Sequence, residues 1–238
     1  MKKKRIFWDL ECSGLEANWD GIFCVGYQIE GEPVKIISIT DFPGWEKEVW
    51  NDKRLIVAFL KVLTREDVAV EITHYGTLFD VPFLQARMAY HKLGVFPLLG
   101  HVDTYFIAKS KIKIKGKSLG SIAEFLKCRF RKTPLNPEVW RMAGRGDKAS
   151  LDYVAKHCRA DVRVLRQVYD RLSPMMRRHP VMESYGACHV CGQEKLERRG
   201  YFTTTTRGRQ IRYQCTNCGA WSHRLESKPA SKLLRGRQ

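Results

Sequence analysis

No stretch of this sequence approaches the roughly 20 consecutive apolar residues that a membrane-spanning helix needs, so a chain anchored by such helices is excluded. Acidic residues are scarce. Only 25 Asp and Glu stand against 42 Lys and Arg, a formal charge of +17 over 238 residues, which points to a polyanionic partner, although charge alone does not choose between nucleic acid and an anionic surface. A disulfide framework is missing too: Cys12, Cys24, Cys128 and Cys158 are scattered singly, as expected in a reducing compartment. There is no internal repeat. The hydrophobic content of 44% excludes a disordered chain and allows one sizeable core with room for a small second module. The opening Met1-Lys2-Lys3-Lys4-Arg5 passes at once into strand-like residues, so the expectation is a soluble, intracellular protein of cytoplasm or nucleoid, with a viral or phage origin also compatible.

Short apolar or β-branched runs at 6–10, 22–29 and 34–39 read as three consecutive strands, with a turn at Gly31-Glu32-Pro33. Helical spacing over 45–63 and a fourth strand at 68–72 follow, and further helices are expected at 79–91, 119–126, 137–143 and 148–172. The last carries Leu151, Val154, Cys158, Val162, Leu165, Val168 and Leu172 as one apolar stripe. Alternating strands and helices predict an α/β layer structure. The expected organisation is a domain over 1–172, a linker over 173–186, a small module over 187–226 and a basic disordered tail over 227–238. From Arg171 onward, 14 Lys or Arg face 4 Glu, so most of the charge excess sits in the last 68 residues.

Asp9 and Glu11, two apart at the end of the first strand, point to the same face and repel each other. A divalent cation such as Mg²⁺ or Mn²⁺ would offset that repulsion with hard oxygen ligands. Asp80 is delivered at a helix start after Gly76, where a helix N-cap is the plain alternative. Asp161 lies mid-helix, a position unfavourable for Asp unless something requires it.

Phe7-Trp8-Asp9-Leu10-Glu11-Cys12-Ser13-Gly14-Leu15 resembles the first motif of the DEDD 3′-to-5′ exonucleases. The run from Gly76 through Phe79-Asp80-Val81-Pro82-Phe83 is similar to the second motif of the branch related to polymerase proofreading domains, and His157-Cys158-Arg159-Ala160-Asp161 resembles the third. The likeness covers residues 5–172 and implies a ribonuclease H-like mixed sheet flanked by helices. It implies that Asp9, Glu11, Asp80 and Asp161 hold two Mg²⁺ or Mn²⁺ ions about 4 Å apart for phosphodiester hydrolysis. Tyr75 stands where relatives often carry Asn, and is a candidate substrate contact. The residue four before the last Asp is a histidine where one subgroup has Tyr; four helical residues rise about 6 Å on nearly one face, so His157 suits a general base better than Tyr153. A surface histidine that merely pairs with a carboxylate is the plain alternative. Asp103 matches a position acidic in many relatives and is expected to be structural.

Cys188-x2-Cys191 and Cys215-x2-Cys218 have the spacing of a four-cysteine zinc ribbon, with one structural Zn²⁺ and a hairpin between strands at 202–206 and 211–214. Arg198, Arg199, Arg207, Arg209 and Arg212 crowd that hairpin among Tyr201, Phe202, Tyr213 and Trp221, a mixture suited to single-stranded nucleic acid. At least half of those aromatics are expected in the ribbon's own core. Lys109, Lys111, Lys113, Lys115 and Lys117 alternate along an expected extended segment, either a substrate track or a lysine-protected edge strand. The leading function is a 3′-to-5′ exonuclease on single-stranded DNA, with a replication or repair protein as a candidate partner of the ribbon. An exoribonuclease, a structure-specific endonuclease and a non-catalytic zinc-ribbon nucleic-acid-binding protein remain the alternatives.

Overall fold

The computed structural model describes residues 3–134, 136–176, 179–180, 187–206 and 208–225. Arg207, the tail over 227–238, and 177–178 and 181–186 of the expected linker lie outside the described residues. Five strands form a mixed sheet: β1 (Lys4–Cys12), β2 (Ile22–Ile29), β3 (Lys35–Ser38), β4 (Val68–Thr73) and β5 (Gly100–Asp103), in the order β3-β2-β1-β4-β5. The β1–β2 and β2–β3 pairs are antiparallel, whereas β1–β4 and β4–β5 are parallel. Parallel pairing needs crossovers, and α1 (Lys53–Leu63) and α2 (Asp80–Tyr90) supply them. After β5 come α3 (Thr104–Lys111), α4 (Leu119–Phe125), α5 (Pro137–Gly144) and the long α6 (Lys148–Leu172).

Alternation along β1 decides what meets what. Ile6, Trp8 and Leu10 join the core that includes Leu55, Ile56 and Phe59 of α1, with the Trp8 and Phe59 rings 5.3 Å apart. Phe7 faces the opposite way, into a second core with Val162, Leu165 and Tyr169 of α6, and meets Tyr169 edge-on at 5.2 Å. With a side-chain period of two, Asp9 and Glu11 share the Phe7 face and are turned toward α6. Gly26, opposite Asp9 on β2, lets α6 approach: a Cβ there would stand 2.8 Å from Cys158 Sγ and 3.0 Å from Val162 Cγ2. Asp147 caps α6 by accepting from Ser150 N at 2.8 Å.

Three expectations change. The helix anticipated from residue 45 begins at Lys53; Trp45–Lys47 is an isolated 3₁₀ turn after Gly44 in the left-handed region. The break is held by buried Asp52, whose carboxylate accepts from Ile22 N and from the Arg87 guanidinium and so ties β2 and α2 to the helix start. Neither β5 nor α3 was legible, because a four-residue strand and a lysine-rich helix carry little periodicity. Consequently Lys109 and Lys111 occupy the last turns of α3, and Lys113 and Lys115 are exposed on irregular backbone, not on an edge strand.

A second sheet, β6 (Leu196–Thr204), β7 (Gly208–Cys215) and β8 (Trp221–Leu225), is antiparallel throughout. Its small core is Cys188, Val190, Cys215 and Ala220, with Leu196, Cys191 and Cys218 against it. The aromatics expected in that core are outside it: Trp221 is 46% exposed, and Tyr201, Phe202 and Tyr213 are half-buried on the sheet faces. The module is fastened to the larger sheet. Arg5 of β1, itself buried, donates to Val190 O at 2.6 Å, to Tyr169 Oη at 3.1 Å and twice to Glu30. No helix among the described residues is long and apolar enough to cross a membrane.

Candidate active site and cysteine cluster

The four acids of the three motifs arrive from three directions. Asp9 and Glu11 sit half-buried near the end of β1, while Asp161 comes from the middle of α6 and is buried. Asp9, Glu11 and Cys158 can present ligand atoms within 4.8 Å of one another, and so can Glu11, His157 and Asp161. Asp80, buried at the first position of α2, joins neither group of three. It is not the N-cap, which is Phe79; instead its Oδ1 accepts from Leu10 N at 3.3 Å and so leans on β1 between the other two acids.

This crowding raises the proton affinity of the cluster. Burial first, and then the charges of Asp80 and Asp161, push the Asp9 carboxyl well above its ordinary value. Glu11 is raised by burial and then by Asp9 and Asp161. Burial lifts Asp80 to about 7. Asp161 Oδ1 is buried and has no hydrogen-bond partner among the described residues. Its other oxygen meets Lys132 Nζ at 2.5 Å. Burial opposes the charge on that ammonium, but Asp161, followed by Asp9 and Glu11, outweighs it and leaves the lysine's pKa raised. An orphaned carboxylate oxygen among mutually repelling acids fits a hard divalent cation, which would supply the positive charge and coordination that Lys132 provides only in part.

His157 is buried, with Nε2 at 3.9 Å from Glu11 Oε1 and 3.7 Å from Asp161 Oδ2. Its Nδ1 lies 2.5 Å from Thr133 Oγ1, a contact that fixes the ring, and Trp140 meets it edge-on at 5.2 Å. Burial is the largest influence on its pKa, which falls despite Asp161. Tyr153 is turned away, its hydroxyl donating to Pro134 O.

A cavity of about 350 Å³ opens beside the acids, lined by Asp9, Asp161 and Lys132 together with Tyr75, Tyr105 and Lys117. Tyr75 has a positive φ of 64°, unusual for a non-glycine residue. Asp103 holds it there, accepting from Tyr75 N at 2.8 Å and Thr77 N at 3.0 Å while capping α3 through Tyr105 N. His74 braces the same wall between Thr104 and Lys117 O, and burial keeps it neutral by lowering its pKa to about 4. Lys111 lines a different cavity, with Phe106 and Met176; of the alternating lysines, Lys117 is the one lining the acid-bearing cavity. Nothing in the spacing of Lys132, Thr133, Lys117 and Tyr105 links them to the acids: the basic run over 127–132 is separated from Asp161 by the whole of α5 and the first half of α6.

The four paired cysteines also converge, all four sulfurs within 4.8 Å of one another. Cys188 and Cys218 sulfurs are 3.7 Å apart, and Cys191 and Cys215 sulfurs 3.6 Å. A tetrahedral zinc with bonds of about 2.3 Å would set its thiolates about 3.8 Å apart, so the cluster could hold such an ion. Gly192 and Gly219, both in the left-handed region, close the two knuckles by donating to Cys188 O and Cys215 O. Outside the knuckles, Tyr201 is flanked by Arg198 and Arg209 at 4.4 and 3.8 Å from its ring centroid, Arg199 pairs with Glu197, and Arg212 is exposed.

No curated protein sequence matches the chain at a significant level. Among solved structures the chain is similar to the family B DNA polymerase from the hyperthermophilic archaeon Pyrobaculum calidifontis, with a TM-score of 0.60 and 19% identity. The likeness covers 73% of this chain and 25% of the polymerase, so the chain spans about a quarter of that protein's length, and it bears on the fold alone. A family model of the RNase H superfamily matches residues 6–173, the span that holds the mixed sheet, the converging acids and α6, and the chain therefore belongs to that superfamily.

Proposed function

We propose that this nuclease-fold chain is a divalent-metal-dependent 3′-to-5′ exonuclease acting on single-stranded DNA, with Asp9, Glu11, Asp80 and Asp161 as the acids that hold two Mg²⁺ or Mn²⁺ ions. The observation that carries the reading is that two groups of potential ligands meet at Glu11, one with Asp9 and one with Asp161, whose buried Oδ1 has no hydrogen-bond partner among the described residues. Held by these acids, such ions would lower the pKa of a nucleophilic water and stabilise the charge developing on the departing 3′ oxygen. The chain's own residues do the rest. His157, its Nδ1 engaged by Thr133, offers Nε2 as the general base that takes a proton beside Glu11 and Asp161. Tyr75 and Tyr105 give a terminal base an aromatic wall across the cavity, and Lys117 meets a phosphate.

The same separations of 3.7 and 3.9 Å favour a second reading, in which His157 Nε2 is itself a metal ligand. The paired cysteines hold a structural Zn²⁺, because four thiolates leave no open position for chemistry. The Arg198–Tyr201–Arg209 stack of the ribbon gives longer strands a second contact.

The test is hydrolysis of 3′-labelled and 5′-labelled single strands of DNA and RNA with Mg²⁺, Mn²⁺ or EDTA. Stepwise loss from the 3′ end of DNA, abolished by EDTA and by Asp9→Asn, supports the proposal. Internal cuts, or preference for RNA, would transfer the site to an endonuclease or exoribonuclease, and inertness under every condition would leave a binding protein.

A further inference from the structure

The segment joining α4 to α5 was absorbed by neither the motifs nor the cysteine cluster. Residues 126–133 read Leu-Lys-Cys-Arg-Phe-Arg-Lys-Thr, with four cations and no acid. They are irregular in backbone yet fastened at several points. Cys128 is buried, and Arg131 folds back to donate to Ala123 O at 3.1 Å and Cys128 O at 2.6 Å. Gln167 of α6 accepts from both Arg129 N and Phe130 N through one oxygen, at 2.7 and 3.3 Å. Lys132 and Thr133 are held by Asp161 and His157 of the same helix.

A loop tied down so thoroughly nevertheless presents a large aromatic ring to solvent. Phe130 is 41% exposed, and the guanidinium groups of Arg129 and Arg163 each lie 5.9 Å from its centroid. Both arginines are exposed, and among the described residues neither has an acidic partner. A partly exposed aromatic ring with two unneutralised guanidiniums lying against it is the composition of a stacking site for an unpaired base with its phosphates.

Its position gives direction. Gln167, the anchor of the Phe130 amide, is six residues beyond Asp161 on α6, about 9 Å along the helix axis. That is the reach of about three stacked nucleotides at 3.4 Å each.

We propose that the loop over residues 127–133, with Phe130 as the stacking face and Arg129 and Arg163 as the phosphate contacts, is the track by which a single-stranded nucleic acid reaches the acid site. This rests on the nuclease reading above and adds the path of the strand upstream of the scissile bond.

The test uses full-length protein disabled by Asp9→Asn and fluorescein-labelled oligothymidylates of two and eight nucleotides in Mg²⁺. Phe130→Ala and Arg163→Gln should each raise the Kd for the eight-mer between about 5- and 100-fold. The dinucleotide, too short to reach the ring, should lose less than about twofold. Arg163→Gln should also make the slope of log affinity against log salt shallower by about 0.7. Lys61→Gln, on α1 across the sheet, is the charge control and should leave both values unmoved.

Phe130→Leu separates stacking from packing, since it keeps an apolar side chain without a π-face. Loss equal to that of Phe130→Ala supports the track, and retention of wild-type affinity overturns it in favour of a packing role. Eight-mer affinity within twofold of the parent in both Phe130→Ala and Arg163→Gln also overturns it and leaves the patch to a protein partner. The nuclease reading fails separately, through inertness of the chain with an intact Asp9 on every oligonucleotide, because binding is read in the disabled protein.

Discussion

At the residue scale, the acid site shows how burial sets what each group can do. His157 is useful as a base only if its ring is neutral and aimed, and burial and Thr133 provide those two conditions. His157→Ala should therefore slow hydrolysis by about 10² to 10⁴ fold with metal affinity largely kept, the usual range for a missing general base. A parallel drop in metal affinity, measured by Mn²⁺ titration, would make the histidine a ligand instead. Glu71 is a buried carboxyl on β4 that accepts from Trp8 Nε1 at 2.8 Å, and burial raises its pKa to about 7. Folding then favours its protonated form, so the group costs nothing below its ordinary value near 4.5, an increasing amount as pH rises toward about 7, and a constant amount above that. Glu71→Gln should raise Tm at pH 8 by the equivalent of about 1–3 kcal/mol, with the gain shrinking toward zero near pH 4.5. A difference in Tm that is the same at both pH values would show that the carboxyl does not titrate in this way.

At the element scale, the site depends on the closeness of α6 to β1 and β2. Glycine opposite Asp9 removes the side chain that would hold the helix off, and Cys158 Sγ then donates to Asp9 O at 3.4 Å. Gly26→Ala places a methyl group where Cys158 and Val162 already stand. Overpacking of this kind costs about 1–3 kcal/mol, and the shift of α6 carries Asp161 and His157 away from Asp9 and Glu11. The expected result is a lower denaturation midpoint together with a loss of turnover larger than the stability change explains. Full activity at reduced stability would mean that α6 tolerates the displacement. Reading this from sequence was half feasible: the stripe from Leu151 to Leu172 announced a buried helix, but Gly26 looked like any glycine in a strand.

At the scale of the whole molecule, the cysteine module and the five-stranded sheet are joined through a buried cation. Arg5 stands on the strand that bears Asp9 and Glu11, and one of its acceptors is Val190 O inside the first cysteine knuckle. Tyr169 of α6 completes the join, with its hydroxyl 2.5 Å from His179 Nε2. If the four cysteines hold the proposed zinc, chelating it, or replacing Cys188 and Cys191 by Ser, should unravel the knuckle and strand one donor of Arg5. A hydrogen bond from a charged group contributes about 1.5–3 kcal/mol, so the main thermal transition should fall by roughly 3–10 °C. The salt dependence of binding to long strands should become shallower as the ribbon's arginines lose their places. An unchanged main transition after complete metal removal would show the two parts to be independent.

The amino-acid sequence by itself determined the periodicities and the chemistry. Alternation put Asp9 and Glu11 on one face, a 25-residue amphipathic run made α6, and two matched Cys-x2-Cys pairs declared a four-cysteine cluster able to hold a metal. These are local properties, set by side-chain spacing of two or 3.6 residues and by short turns. What only the tertiary structure decided is which distant groups share a space. Lys132 on Asp161, Thr133 on His157, Asp103 under the strained Tyr75 and Arg5 reaching Val190 are separated by 24 to 185 residues. No period links such positions; they meet because burying both faces of one sheet forces α6 against β1 and β2, with α3 and α4 packed on α6, and each polar group enclosed there must find a partner.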